Sequence, residues 1–354
     1  MSESAPDLAG AWHDLPRALG PPPATALLRA TPADFRVMED PVMEPEGAGE
    51  HLWFLIRKTG WNTADVGQWL GRTVGARPRD VSWAGLKDRL AVTEQWFGVH
   101  RPGGNDIPEL QELPAGIEIL RVARHGRKLR TGMLQGNYFD LTLRELDRPP
   151  ELFGPRLAMI ARSGVPNYFG AQRFGRDGGN LDAAWRMLDG MPVRNRQRRG
   201  LFLSAARSFL FNQVLAARVR AGCWDRPLSG DLMTFTSSNS LFPAAGLSAG
   251  DPRLAWADVH PAGPLPGRGG MAPEDAAGAL EAEALAPWRE QIEALGRLGV
   301  DGARRALRLP VQRLWWRRED ASTLRVGFWL PAGAFATAVL REACDYREGA
   351  RSST

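Results

Sequence analysis

The sequence predicts an α+β fold, in which a strand-rich domain is interrupted by a more helical segment. Three observations carry this. Residues 27–146 hold several short period-two stretches without regular βαβ spacing. From residue 151 the texture turns helical. Near the C-terminus, "LRVGFWLPAG" (324–333) and "FATAVLREAC" (335–344) bring back one strand and one helix, separated by the Pro331/Gly333 break. The end of the chain is therefore expected to rejoin the first part.

Each element has a local reason. In residues 27–39, Phe35 and Val37 alternate with polar positions, as in a half-buried strand. "HLWFLIRKTG" (51–60) is a strand stopped by glycine. Asn62 or Thr63 caps a helix that runs to about Gly71 and carries Val66, Trp69 and Leu70 on one face. Strands are expected at 80–85, 93–100, 116–125 and 137–146. Residues 151–163 read as a helix with Pro155 near its first turn. Residues 180–190 form a short helix ending at Gly190. In "LSAARSFLFNQVLAARVRAG" (203–222), apolar residues recur at three- and four-residue steps up to Gly222, the strongest helical pattern in the chain. Residues 225–275 read as loop-rich and 277–298 as helical.

A chain of 354 residues is long enough for two domains with sizeable cores. Forty-five Lys and Arg face 40 Asp and Glu, so the net charge of +5 by itself points to neither nucleic acid nor membrane. The distribution says more. Arg121, Arg124, Arg127, Lys128 and Arg130 form one acid-free basic run, and Arg194, Arg196, Arg198 and Arg199 a second. Such runs suit a polyanion, although solvated basic faces look the same from charge alone. No window of about 18 apolar residues would span a membrane. The N-terminus lacks the pattern of a signal peptide. A cytoplasmic protein is expected.

Several chemistries lack their residues. Cys223 and Cys344 form no CxxC, and His13, His51, His100, His125 and His260 form no HExxH or close pair, so no metal is expected. There is no GxxxxGK[ST], and "GRDGG" (175–179) lacks the dinucleotide spacing. A carboxylate enzyme or a binding protein remains. In "WAGLKDRLAVTEQW" (83–96), Asp88 lies between two strands, flanked by Ala84, Leu86, Leu90, Ala91 and Val92. A carboxylate in that setting needs a cationic partner, and Lys87 or Arg89 is nearest in sequence. Locally, this is either a catalytic aspartate or an exposed charged turn. Phe35, Phe139, Tyr168, Phe169 and Phe174 stand among Arg or Asn residues, as base-stacking rings do, or as core aromatics do.

The same stretch resembles the signature of the TruD family of tRNA pseudouridine synthases. Gly85, Lys87, Asp88, Ala91, Thr93 and Gln95 match its Gly-x-Lys-Asp and Ala-x-Thr-x-Gln pattern. Further blocks follow in the family's order: "ADFRVMED" (33–40), "RHGRKLRTGMLQGNYF" (124–139), "GVPNYFGAQRFG" (164–175), "LSAARSFLFNQVLAAR" (203–218) and "FWLPAGAFATAVLRE" (328–342). The resemblance covers about residues 27–345.

That resemblance implies a pseudouridine synthase mixed-sheet catalytic domain with an inserted second α/β domain. Residues 1–163 and 311–354 would form the catalytic domain and 164–310 the insertion. It implies isomerisation of uridine to pseudouridine at position 13 of tRNA, by a monomer with no cofactor and no protein partner. Asp88 matches the catalytic aspartate, the proposed nucleophile. Phe35 and Phe335 match pocket phenylalanines, Asn137 an asparagine that hydrogen-bonds near the aspartate, and Phe139 an aromatic that stacks on the target base. Lys87 matches the aspartate's neighbour. Arg29 stands where some members carry lysine, and Leu90 departs from the histidine of many members.

Overall fold

A computed structural model describes residues 13–103, 110, 112–238, 240–248 and 250–349. The chain begins with β1 (Thr25–Leu28), β2 (Phe35–Pro41), β3 (His51–Lys58), α1 (Thr63–Thr73), β4 (Val81–Trp83), β5 (Val92–His100), β6 (Ile117–His125) and β7 (Leu134–Arg144). The middle holds α2 (Phe153–Ser163), β8 (Val165–Pro166), α3 (Gly179–Leu188), α4 (Arg196–Arg220), β9 (Leu232–Phe235), β10 (Leu241–Pro243) and α5 (Pro252–Ala255). It continues through β11 (Val259–Leu265), α6 (Asp275–Leu285), α7 (Arg289–Arg297), β12 (Ala303–Ala306) and β13 (Arg308–Leu309). The last elements are β14 (Gln312–Arg318), β15 (Leu324–Pro331), α8 (Ala336–Ala343) and β16 (Asp345–Glu348).

These elements group into two units. One comprises Pro23–Leu157, Val311–Gly333 and the chain from Cys344. The other comprises the described residues up to Pro22, Ala158–Pro310 and Ala334–Ala343. This grouping splits the C-terminal segment, because α8 goes with the inserted residues while β15 and β16 go with the sheet.

The first unit is built on a ten-stranded mixed sheet. Its main path runs β14-β15-β7-β2-β5-β3-β6, with β1 on β7 and β16, and β4 on β5. The β2–β5 and β1–β16 pairs are parallel. Alternation along β3 explains its burial on both faces. Leu52, Phe54 and Ile56 pack with Val66 and Leu70 of α1 and with Phe97 and Val99 of β5. Trp53 and Leu55 point the other way, towards Trp96, Leu129 and Ala84. Further along β5, Thr93 and Gln95 share the parity of Phe97 and Val99, so that face turns polar towards the loop holding Asp88.

The second unit packs α4 among other helices. Ala205, Ala206, Phe209, Leu210 and Leu215 cluster with Trp185 of α3, Leu295 of α7 and Trp288. Helix α4 begins at Arg196, earlier than its apolar pattern, because Asn195 caps it by accepting from the Arg198 N–H. The basic run 196–199 is therefore its first turn. The stretch expected to be loop-rich contains β9, β10 and β11, which with β12 form a four-stranded antiparallel sheet. Strand β11, "VHPAGPL", hides its signal because it is buried almost throughout and contains two prolines.

Candidate active site

Asp88 sits in the eight-residue connection between β4 and β5, and nearly every turn of that loop is tied down. Gln95 Nε2 donates to the Gly85 carbonyl at 2.6 Å. The Lys87 N–H donates to Thr63 Oγ1 at 3.0 Å, and that hydroxyl donates to Gln95 Oε1 at 3.0 Å. Thus one threonine at the start of α1 joins the loop to β5. Lys58, the last residue of β3, donates from Nζ to the carbonyls of Asp88 and Trp61, both at 2.9 Å. The Gly60 N–H donates to the Arg89 carbonyl at 3.1 Å. Backbone fixed in this way aims the carboxylate.

Among the described residues, the carboxylate has two partners. Oδ1 accepts from the Leu90 N–H at 3.0 Å, the local bond typical of aspartate in a turn. Oδ2 lies 3.0 Å from Arg29 Nη2. Arg29 is thus the cation at Asp88, rather than the sequence neighbours Lys87 or Arg89. Arg29 follows β1 with φ of 58°, a left-handed conformation that a non-glycine residue adopts only when its surroundings impose it. Those surroundings are visible. Its guanidinium lies 3.9 Å above the Phe35 ring, and Nη1 reaches Glu348 Oε1 of β16 at 3.2 Å. Gly349 passes so close that a Cβ there would sit 2.5 Å from the Arg29 carbonyl oxygen.

Lys87 turns away from its neighbour. Its Nζ lies 2.5 Å from Glu39 Oε1, and the Glu39 side chain is wholly buried. Glu39 Oε2 also accepts from the Trp96 N–H at 2.8 Å. Burial raises the Glu39 pKa against the pull of Lys87. Lys58 is buried too, and burial lowers its pKa to about 8, while Asp88 draws it upward. The apolar setting expected around Asp88 is partial: Ala84 and Ala91 are buried, whereas Leu86 is 78% exposed.

The aromatic residues form a chain. Phe35 and Phe139 meet edge to face at 6.3 Å, and Phe139 lies 5.5 Å from Phe328. All three rings are largely buried. On the sheet, Val37 pairs with Phe139 and Glu39 with Asn137, so these side chains share one face. Asn137 Oδ1 is buried and accepts no hydrogen bond among the described residues. Phe335 belongs to the other unit, where its ring lies 6.1 Å from Phe169.

Two expectations from the sequence change. Three of the five histidines come together: His51 pairs in register with His100 and with His125, and the His51 and His100 rings are 4.9 Å apart. Strand pairing brings together what 74 positions separate in the sequence. Among the described residues, no group of three or more His, Cys, Asp or Glu could hold a metal. The basic run 121–130 is also not uniform. Arg124 is buried, donating to the Gly49 and Arg101 carbonyls, and Arg121 pairs with Glu44, whereas Arg127 and Arg130 are exposed.

Sequence reasoning missed Glu39, Lys58, Thr63 and Glu348 as supports of the site. One signal existed: Lys58 shares the parity of Leu52, Phe54 and Ile56, which marks it as inward-facing. A lysine at such a position is rarely buried without a task.

Comparison with known proteins gives the class. The fold of the chain matches a Methanosarcina mazei crystal structure named for tRNA pseudouridine synthase D, with TM-score 0.72 and 21% identity over 93% of this chain and 95% of that one. The tRNA pseudouridine synthase D (TruD) family model matches residues 18–184 and 185–343. The tRNA pseudouridine synthase D of Methylococcus capsulatus is 46% identical over 344 residues, 96% of this chain and 97% of the relative. That of Aeromonas hydrophila is 45% identical over 331 residues, 93% of each. The chain belongs to the TruD family.

Proposed function

We propose that this protein isomerises a uridine of tRNA to pseudouridine, at position 13, with Asp88 as the nucleophile. The observation that carries the reading is the Asp88–Arg29 pair, held in a tightly bonded loop of a TruD-family chain. In the reaction, the N1–C1′ bond breaks, the uracil turns, and C5 bonds to C1′. C5 gives up its proton and N1 gains one. Nothing is oxidised and no group is transferred, so the chemistry calls for no cofactor. A carboxylate that attacks carbon and later leaves is sufficient as the covalent catalyst.

The remaining residues fit around that step. Arg29 offsets the charge of the carboxylate from its position on the face of Phe35. The base has to leave the RNA stack, and aromatic rings such as Phe35, Phe139 and Phe335 offset part of that cost. Among the described residues, Asn137 Oδ1 is an acceptor without a donor, suited to an N–H of the base. Lys87 acts through Glu39 and the loop. Arg127, Arg130 and the first turn of α4 provide positive charge for phosphates. A cytoplasmic monomer acting on tRNA is the corresponding setting. Among the described residues, no helix is long and apolar enough to cross a membrane.

The test is Asp88→Asn with purified protein and unmodified tRNA. Loss of pseudouridine formation with unchanged RNA affinity supports the nucleophile. A normal rate excludes it. RNA binding without turnover by the wild type would instead favour an RNA-binding protein that does no chemistry.

A further inference from the structure

The segment Asn167–Gly175, "NYFGAQRFG", is built with unusual care and takes no part in the chemistry above. Apart from one short 3-10 turn, Ala171–Phe174, it has no regular structure. Buried amides hold it instead. Asn212 of α4 donates to the Phe169 carbonyl and accepts from the Phe169 N–H, both at 2.9 Å. Asn167 Nδ2 donates to the Ala306 carbonyl at 2.8 Å. A loop fixed by side-chain amides presents its own side chains in set directions.

What it presents is positive charge on aromatic rings. The Arg173 guanidinium lies 5.4 Å from the Phe169 centroid and 5.7 Å from that of Phe335. Arg305 lies 4.4 Å from the same Phe169 ring and donates from Nη2 to Asn167 Oδ1 at 2.6 Å. Two guanidinium groups therefore share one phenylalanine. Among the described residues, Arg173 forms no ion pair with a carboxylate, and its hydrogen bond runs from Nη1 to Ser204 Oγ at 3.0 Å. Its Nε and Nη2 form the opposite edge, a fork that matches two oxygens of a phosphate. Burial lowers the pKa of both groups, and Arg173 adds to the effect on Arg305, bringing it to about 10. Crowding two cations costs free energy that an anion between or beside them would return.

We propose that Arg173, steadied by Phe169, Phe335 and Ser204, binds a backbone phosphodiester of the tRNA. The proposal rests on the tRNA reading above. It would couple the Phe335 ring to the path of the RNA backbone.

The experiment measures tRNA affinity against salt for the wild type, Arg173→Met and Arg173→Lys, with thermal melting of each. It is repeated on a set of tRNAs, each carrying a single neutral methylphosphonate linkage at a different position. Arg173→Met should lower the slope of log K against log salt by about 0.7–0.9, the release of one counterion. Arg173→Lys should keep the slope and weaken binding. The Arg173→Met defect should vanish on the RNA whose contacted phosphate is already neutral. A lower melting temperature with an unchanged salt slope would make Arg173 a structural residue and overturn the proposal. Arg173→Gln, which keeps a donor for Ser204, replaces the methionine variant if that one does not fold. Pseudouridine formation by the wild type with an unchanged Arg173→Met slope defeats this proposal alone. Absence of wild-type turnover with a lowered Arg173→Met slope defeats the proposed function alone, and absence of tRNA binding by the wild type defeats both.

Discussion

Arg29 Nη2 stands 3.0 Å from Asp88 Oδ2, although 58 residues separate the two in the chain. The bond joins a residue in a left-handed turn after β1 to a loop between β4 and β5. Replacing Arg29 by methionine removes the charge and keeps much of the contact with Phe35. Single-turnover pseudouridine formation should fall by about 10²–10³, the usual scale for one positioned electrostatic partner. Arg29→Lys should recover part of the rate, because it restores charge without the planar fork. A wild-type rate in Arg29→Met would remove Arg29 from the mechanism.

The Glu39–Lys87 pair makes a different prediction, about stability. Removing one member of a buried ion pair strands the other charge, and here also orphans the Trp96 N–H. Glu39→Ala should cost about 3–5 kcal/mol in urea unfolding. The double variant Glu39→Met with Lys87→Met should cost clearly less than the single one. A double loss equal to the sum of the Glu39→Met and Lys87→Met losses would mean that the pair is not coupled.

Lys58 predicts a pH dependence. Its folded pKa of about 8 lies below the ordinary 10.5. Between those values the unfolded chain binds more protons than the folded one, so this residue's contribution to stability rises with pH. Below about pH 8, both states hold the proton and the folded state bears the burial cost. The stability of the wild type relative to Lys58→Met should therefore increase from pH 8 to pH 10. A flat difference would show that Lys58 titrates normally.

The basic run should divide by function. Arg127→Gln with Arg130→Gln should leave the melting temperature nearly unchanged and lower the salt slope of tRNA binding by up to about 2. Arg124→Gln should instead destabilise the fold, because its guanidinium satisfies the Gly49 and Arg101 carbonyls. Reversed behaviour would exchange their roles.

Much of the sheet was legible because a continuous apolar run or a period-two pattern marks its longer strands. "HLWFLIRK" and "NYFDLTLR" are examples. Strand β14 was missed because "QRLWWRR" is exposed along most of its length and so has no alternation to read. The inserted sheet was missed for the opposite reason, since β11 is buried on both faces. At the site, ordered family blocks single out Asp88 and mark Arg29 as a basic position, but they do not show that the two pair. Proximity in sequence favours Lys87 and Arg89, whereas the pairing of distant strands delivers Arg29. Lys58 and Glu39 were hidden because charged residues are assumed to face water.

Strand β16 lies parallel to β1, and its Glu348 grips Arg29 across 319 positions of sequence. That closure carries a consequence for biosynthesis. During translation the aspartate loop emerges early, but the strand that steadies its cation is made hundreds of residues later. The nascent chain therefore cannot settle the Arg29–Asp88 pair until β16 has cleared the exit tunnel. Ribosome-bound fragments that stop short of it would carry Asp88 without a settled Arg29.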